Sequence, residues 1–241
     1  MRKSIYYLLF TLFLLNTIPS QAQFLKDLKK SLTKGAAAAG FTEEEAGAAI
    51  KQALEKGVVK GVELVAQENG FFADSLIKIP FPAEAKLMEQ KLRMMGMDKQ
   101  VDQVILTFNR AAEDASIKAK DIFVGAIKEM TLTDAINIVK GEEDAATQYL
   151  QNHTTSGLVT EFSPIIDESL DKVLATKYWE ELVTTYNKLP FVRKVNPNLT
   201  EYVTEKAIEG LFVKVADEEK LIRENPAERT TELLEKVFGK K

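Results

Sequence analysis

Residues 98–115 read DKQVDQVILTFNRAAEDA and decide the fold. Apolar residues recur in this stretch at intervals of three and four, which predicts a helix that begins at Asp98 and buries one face. The same period returns along most of the chain, in segments that begin near Thr42, Ala119, Thr133, Glu142, Thr155, Lys177, Asn198 or Thr200, and Thr230. The sequence therefore predicts an all-α fold, a single-domain helical bundle of about eight to ten helices.

Two short segments break the helical period. Residues 76–82, LIKIPFP, contain two prolines, which exclude a helix across them. Residues 191–195, FVRKV, lie between Pro190 and Pro197 and also favour an extended chain. Two interpretations are open. The segments are connecting loops with apolar anchors, or they pair as one short two-stranded ribbon with Pro80 on its edge.

The first 22 residues have the three parts of a secretory signal peptide. Arg2 and Lys3 precede an apolar run over residues 5–15, and small residues then lead to Ala22. This run is too short to span a bilayer core about 30 Å thick. We therefore predict cleavage after Ala22 and a periplasmic location. The predicted domains are a signal peptide over residues 1–22 and a single helical domain over residues 23–241.

The composition excludes several kinds of chemistry. The 241 residues include no Cys and one His, which rules out disulfides, thiol nucleophiles, lipid attachment through Cys, and Cys-based metal sites. Without residues 1–22 the chain carries 30 basic and 36 acidic residues, a net charge of −6. That charge repels phosphate backbones, so nucleic acid is a poor partner. No cofactor is predicted, and the mature chain has no stretch apolar enough for a transmembrane span.

Several short runs occur in the order of one known family. They are Asn109–Glu113 (NRAAE), Tyr186–Pro190 (YNKLP), Tyr202–Lys206 (YVTEK), Gly210–Phe212 (GLF), Ile222–Pro226 (IRENP), Arg229–Thr231 (RTT) and Val237–Gly239 (VFG). Over about Ile50 to Gly239 the chain resembles the bacterial domain-of-unknown-function family numbered four-one-nine-seven. The resemblance implies an exported helical bacterial protein. It brings no activity, no cofactor and no catalytic residue.

The common catalytic motifs are missing from the sequence. It has no nucleophile elbow, no His-Glu-x-x-His, no P-loop and no glycine-rich dinucleotide fingerprint. His153 is the single imidazole, and the polar run Gln151–Thr155 predicts that it lies in a turn between helices. Acidic runs such as residues 142–144 and 217–219 are typical of helix ends and solvated faces. The sequence assigns no catalytic residue and no metal ligand, and it favours a protein that is not an enzyme.

Six polar residues are candidates for contact with a ligand or partner: Asn109, Arg110, Asp121, Lys128, Arg223 and Arg229. Arg110 lies opposite the apolar face of its helix, so it points either at water or at another element or ligand. Asp121 and Lys128 lie opposite the apolar face of the next helix. Arg223 and Arg229 flank a predicted turn at Asn225-Pro226.

A row of small residues predicts a close helix crossing. Ala49, Ala53, Gly57 and Gly61 recur every four residues and form one smooth face. Charged residues on the same helix exclude insertion into a bilayer. Each of the two glycines lowers helix propensity by roughly 1 kcal/mol relative to Ala. Tight packing against another helix in the core is the expected compensation.

Three classes of function fit these observations. The first is a non-enzymatic periplasmic protein that binds an apolar or amphipathic ligand between helices. The second is a structural or partner-binding module that contacts an envelope protein. The third is a hydrolase built on carboxylates. A large apolar cavity favours the first class, an apolar patch on a filled core favours the second, and a buried unpaired carboxylate favours the third.

Overall fold

The structure is a computed structural model, and every element of regular secondary structure in the part of the chain that it describes is helical. The described residues are 43–172, 176, 179–180, 183–184, 187–188, 190–191, 194–196 and 198–224. The helices are α1 (Glu43–Ala66), α2 (Lys86–Met94), α3 (Asp98–Ser116), α4 (Ala119–Glu129), α5 (Leu132–Lys140), α6 (Ala145–Asp171) and α7 (Leu199–Glu224), with a 3-10 turn at Ala83–Ala85. The contacts below lie in the compact unit that begins at Glu44. The all-α prediction is confirmed for these residues.

The two longest helices, α6 and α7, pack against each other at the centre of this unit. Helix α3 contacts both of them, and α4 and α5 contact α6. The largest fully buried side chains are Phe71, Phe108, Phe123, Phe162, Ile79, Ile127, Leu150, Leu158, Ile166, Leu170 and Leu211. Burial of each such side chain stabilises the fold by roughly 1.5–3 kcal/mol. The apolar period of the sequence therefore corresponds to a filled core.

Helix α1 packs on α7 through the predicted row of small residues. A Cβ atom on Gly61 would lie 3.5 Å from the carbonyl oxygen of Lys214, so the two backbones come close. A Cβ atom on Gly57 would lie 3.0 Å from Cδ1 of Ile222. The structure thus places the row at a helix crossing inside the compact unit, as the sequence predicts.

Helix α6 corrects the prediction for His153. The sequence predicts separate segments from Glu142 and Thr155 with a turn between them, whereas α6 runs without interruption from Ala145 to Asp171. His153 lies inside this helix, exposed, and stacks on Tyr149. Buried residues at Leu150, Thr154, Leu158 and Phe162 continue one helical face through the polar run. The polar residues occupy the outer face, and a polar outer face does not end a helix.

The predicted count of eight to ten helices and the two-stranded ribbon are not confirmed. The described residues contain seven α-helices and no strand, with further helical residues at 176, 179, 180, 183 and 184. The backbone N–H and C=O of Ile79 both bind the side chain of Asn109, and those of Val195 both bind the side chain of Asn187. At these two residues carboxamide side chains take the bonds that a paired strand would use. The predicted cap at Thr42 and the predicted helix from Thr230 lie outside the described residues.

Within residues 43–172 and 198–224, no helix is both long enough and apolar enough to cross a bilayer.

Candidate functional site

The side chain of Asn109 positions the extended segment that follows α1. It is fully buried on α3, and its Oδ1 accepts a 2.8 Å hydrogen bond from the N–H of Ile79. Its Nδ2 donates to the carbonyls of Ile79 at 3.0 Å and of Ile105 at 2.7 Å. Because a buried carboxamide must be satisfied, these three bonds fix both the side chain and the backbone at Ile79.

Glu113 lies one turn further along α3 and binds the same region of chain. It is 3% exposed, and its Oε1 accepts hydrogen bonds from the N–H groups of Phe71 at 3.0 Å and Phe72 at 3.1 Å. Its Oε2 accepts a hydrogen bond from Arg110. The buried carboxylate is therefore compensated by two backbone donors and one guanidinium, the arrangement that makes burial of a charge tolerable.

Arg110 joins Glu113 to the turn at the end of α1. Its Nη2 donates to Oδ1 of Asn69 at 2.9 Å and to Oε1 of Glu68 at 3.2 Å. Asn69 has a φ of 68°, a left-handed conformation that Asn adopts more readily than most residues. The side chain of Arg110 is 31% exposed, so it lies between the interior and solvent. The face of α3 opposite its main apolar stripe thus meets the 68–72 turn.

The segment positioned by α3 forms one wall of an open groove, and α7 forms the other. The groove has a volume of about 730 Å³. It is lined by Leu76, Ile77, Lys78, Ile79, Pro80, Phe81, Ala83, Glu84, Lys86, Glu89, Tyr202, Glu205, Lys206, Glu209, Gly210 and Val213. Gly210 permits the close approach of the walls, because a Cβ atom there would lie 2.6 Å from Cε1 of Phe71.

Tyr202 bridges the two walls of the groove. Its hydroxyl donates a 3.0 Å hydrogen bond to the carbonyl of Pro80. Burial raises the pKa of Tyr202 to about 12, and the negative charges of Glu84 and Glu209 add to this effect. The phenol is therefore protonated throughout the physiological range and acts as a hydrogen-bond donor.

The groove carries charges of both signs beside apolar surface. Its charged residues are Lys78, Lys86, Lys206, Glu84, Glu89, Glu205 and Glu209. Lys206 binds Glu209, and Lys78 lies 3.9 Å above the ring of Phe72. Leu76 is 76% exposed and Val213 is 39% exposed. Such a lining suits a molecule with both apolar and polar groups.

A second cleft is lined by residues of the 69–75 turn and has a volume of about 440 Å³. Lys214 lines it and is bound by Asp74 at 2.7 Å and Asp217 at 3.1 Å. The hydrogen bond from Lys214 lowers the pKa of Asp74. Because its cation is already paired with two carboxylates, this cleft offers less to a ligand than the groove does.

Arg223 belongs to a separate cluster at the far end of α7. Glu219 accepts hydrogen bonds from the N–H groups of Ala146 and Thr147, which open the first turn of α6. Arg223 binds the same carboxylate at 2.7 Å and donates to the carbonyl of Ile138 at 2.9 Å. A carboxylate at a helix N-terminus is favourable. This cluster joins α5, α6 and α7 and has a structural role.

The remaining candidates from the sequence lie elsewhere. Asp121 and Lys128 are exposed on α4, and the carbonyl of Lys128 accepts a 2.9 Å hydrogen bond from Lys51. Arg229 lies outside the described residues. Among the six candidates, the structure brings together Asn109 and Arg110, which bind the segment that leads into the groove. It does not bring Asp121, Lys128 or Arg223 to that place.

The groove itself was missed by the sequence analysis. Tyr202 and Lys206 stand in the family-like run YVTEK, to which the sequence assigns no role, and no sequence pattern singles out Glu84. The available signal was the segment 76–82, whose alternating apolar residues and prolines indicate a fixed extended chain. No local sequence pattern indicates that α7 lies opposite residues 76–82, because Tyr202 and Pro80 are 122 residues apart.

Metal clusters and unpaired buried acids are both missing among the described residues. No three His, Asp or Glu side chains among them converge on a point that could hold a metal ion. The buried carboxylates in this part of the chain are Glu113, Glu218 and Glu219. Glu218 binds Lys60 at 3.0 Å, and the other two bind arginines. The unpaired buried acid that would favour a hydrolase is not found among them.

Fold and site together define an all-α protein with an open groove between an extended segment and its last described helix. The sequence model of a family described as "Protein of unknown function (DUF4197)" matches residues 40–239, so the chain belongs to this family. The resemblance noted from the short runs is thereby confirmed. No curated protein and no solved structure matches the chain.

Proposed function

We propose that this protein is exported to the periplasm, where it binds an amphipathic ligand in the groove without catalysing a reaction. The groove carries this proposal, because its volume of about 730 Å³ lies within the range of ligand-binding pockets, roughly 300–1,000 Å³. Its opening to solvent gives a ligand direct access.

The wall of the groove is organised before any ligand arrives. Asn109 binds Ile79, Glu113 binds Phe71 and Phe72, and Tyr202 binds Pro80. A wall with fixed backbone loses little conformational entropy on binding, which favours affinity. A segment held in this way by buried polar groups is more than a connection between α1 and α2.

The lining favours an amphipathic ligand over a purely apolar one. Leu76 and Val213 offer exposed apolar surface, while Glu84 and Glu205 make no ion pair with any residue that the structure describes. A purely apolar ligand would leave these carboxylates desolvated without a partner, which is costly. A ligand that combines an apolar body with a cationic or donor group satisfies both kinds of surface.

Native mass spectrometry tests the proposal. The protein is expressed with its signal peptide, purified from the periplasm and sprayed under non-denaturing conditions. We expect a retained mass that Val213→Trp removes by filling the groove. Leu221→Trp is the matched control, because Leu221 is 40% exposed on the same helix, does not line the groove and is as accessible as Val213 at 39%.

Two outcomes contradict the proposed ligand site. One is a wild-type protein that carries no additional mass when it is purified quickly from its own compartment. The other is an additional mass that survives Val213→Trp and Leu221→Trp equally, which would place the ligand elsewhere. N-terminal sequencing of the same sample tests export, since we expect the chain to begin at Gln23.

A partner-binding module is the second candidate, and one observation favours it. Helix α2 exposes two large apolar side chains seven residues apart on one face, Leu87 at 61% and Met94 at 86%. An apolar face on an exposed helix is typical of protein contacts. Loss of a co-purifying protein in Leu87→Ser/Met94→Ser, with the groove variant unaffected, would favour this function over the groove.

A further inference from the structure

Phe191 combines two properties that a bulky apolar residue rarely shows. Its exposed fraction is 106%, so no residue that the structure describes covers it, and its backbone has a φ of 62°. The left-handed region is unfavourable for a residue with a large side chain. Because the side chain of Phe191 is exposed, the fold also gains no hydrophobic stabilisation from its burial. A residue kept in such a state indicates a contact that none of the described residues supplies.

Hydrogen bonds join the two ends of the loop that carries Phe191. Asn187 donates from Nδ2 to the carbonyl of Val195 at 2.8 Å and accepts from its N–H at 2.9 Å. Val195 is 3% exposed, and the next residue accepts a 3.2 Å hydrogen bond from the indole of Trp179. The two ends of the loop are therefore joined and anchored in the core, and the loop presents Phe191 outward.

The charge around the loop is opposite to that of the protein. Residues 188–194 read KLPFVRK, with three cations and no acid, in a mature chain with a net charge of −6. Lys188 and Lys194 are both exposed, as is Pro190 beside the aromatic ring. An exposed aromatic residue between cations is the combination that binds surfaces with anionic phosphate and an apolar layer beneath.

We infer that this tip, formed by Lys188, Phe191 and Lys194, docks on a bilayer surface that contains anionic phospholipids. Phe191 enters the interface while the lysines remain at the level of the phosphates. An exposed side chain on a loop can insert into a lipid surface without a pocket to receive it, and a lipid surface has no such pocket. A protein partner would have to supply a pocket for the ring and acidic groups for both lysines.

The test uses the exported full-length protein and phospholipid vesicles. Vesicles of phosphatidylcholine alone are compared with vesicles that contain a minority of phosphatidylglycerol, and bound protein is measured by sedimentation. We expect binding to the anionic vesicles only. It should weaken strongly when salt shortens the Debye length well below about 8 Å.

Two variants examine the tip. Phe191→Ser should weaken binding about tenfold, because the ring no longer enters the interface. Lys188→Glu/Lys194→Glu should weaken it by at least about 20-fold, since each cation near an anionic surface contributes roughly fivefold. All three positions are exposed, so the melting temperature of both variants should stay close to that of the wild type.

The turn between α3 and α4 supplies matched controls. Ile117 is 57% exposed there, with Lys118 and Lys120 exposed beside it. Ile117→Ser removes an exposed apolar side chain, as Phe191→Ser does, and Lys118→Glu/Lys120→Glu reverses two exposed charges, as Lys188→Glu/Lys194→Glu does. Both control variants should retain binding to anionic vesicles. Val213→Trp should retain it too, which separates this inference from the groove.

Three results would overturn the inference. The first is a wild-type protein that does not bind anionic vesicles. The second is a loss of binding in the control variants that is as large as in the tip variants, which would indicate general electrostatic attraction. The third is binding of an acidic peptide such as polyglutamate that depends on Phe191 while vesicles are not bound. That result would assign the tip to an acidic protein partner.

Discussion

The hydroxyl of Tyr202 donates a 3.0 Å hydrogen bond to the carbonyl of Pro80 and so joins α7 to the extended segment across 122 residues of sequence. Proline has no N–H, and its carbonyl here has a side chain as its partner. The bond connects the two walls of the groove at one point. Its loss should therefore affect both the stability of the fold and the geometry of the groove.

We expect Tyr202→Phe to lower the free energy of unfolding by about 0.5–1.5 kcal/mol, the net contribution of one hydrogen bond. Urea denaturation followed by circular dichroism measures the change. Tyr149→Phe is the control, because its hydroxyl makes no hydrogen bond to any residue in the part of the chain that the structure describes. Equal losses in the two variants would mean that the bond to Pro80 contributes nothing.

The raised pKa of Tyr202 also predicts a pH dependence. In the unfolded chain a tyrosine titrates at about 10, whereas burial raises the pKa of Tyr202 in the folded protein to about 12. The folded state therefore keeps a proton that the unfolded state releases, and stability falls as the pH rises from about 10 to about 12. Tyr202→Phe should make this fall shallower. An unchanged slope in the variant would show that Tyr202 is not responsible for it.

Substitution of the buried Glu113 should lower the stability of the fold more than Tyr202→Phe does. Glu113→Ala removes the partner of Arg110 and leaves the N–H groups of Phe71 and Phe72 without an acceptor. Each N–H left without an acceptor costs about 1–3 kcal/mol, so urea denaturation should show a loss of about 2–5 kcal/mol in the free energy of unfolding.

Asp114 is the control for Glu113, since it is the next residue on the same helix and is exposed. Asp114→Ala should change stability by no more than about 0.5 kcal/mol. A mild loss in Glu113→Ala, similar to that of Asp114→Ala, would contradict the structural role assigned to the cluster.

The sequence was sufficient for the all-α class and for single helices such as α3, and it was insufficient for the full length of α6 and for the contacts between helices. The apolar stripe of residues 98–115 predicts α3 because helix periodicity is a local property. The roles of Asn109 and Glu113 depend on backbone groups 30 and 42 residues away, and no local pattern records such a pairing. The error at His153 has a related cause, since a polar run looks alike in a turn and on the outer face of a long helix.

The groove shows the same limit. The prolines of residues 76–82 indicate an extended chain, and the sequence pattern cannot distinguish a ribbon from a segment bound by side chains. In the structure a single carboxamide supplies to Ile79 the donor and the acceptor of a strand partner. The family-like run NRAAE contains that carboxamide and the carboxylate of Glu113, so two of its five residues bind the backbone that leads into the groove wall.

A pair of glycines tests how closely the groove wall approaches α7. A Cβ atom on Gly210 would lie 2.6 Å from Cε1 of Phe71 and 3.1 Å from Cβ of Ile77, so Gly210→Ala should destabilise by about 1–3 kcal/mol. Gly125 has no atom within 4 Å of the corresponding position on α4. Gly125→Ala should therefore stabilise by up to about 1 kcal/mol through helix propensity. Thermal unfolding that shifts the same way in both variants would contradict the proposed contact.

The backbone of Phe191 makes a prediction that does not depend on any ligand. At a φ of 62° a residue with a side chain loses roughly 1–2 kcal/mol, whereas glycine does not. Glycine also gains entropy in the unfolded chain, which reduces the benefit by roughly 0.5–1 kcal/mol. Phe191→Gly should therefore raise the free energy of unfolding by about 0.5–1 kcal/mol, while Leu76→Gly, at an exposed position without a positive φ, should lower it by a similar amount. If both variants lose stability in urea denaturation, the loop is not strained at Phe191. If Phe191→Gly raises the free energy of unfolding and weakens binding to anionic vesicles, the ring serves membrane contact and lowers the stability of the fold.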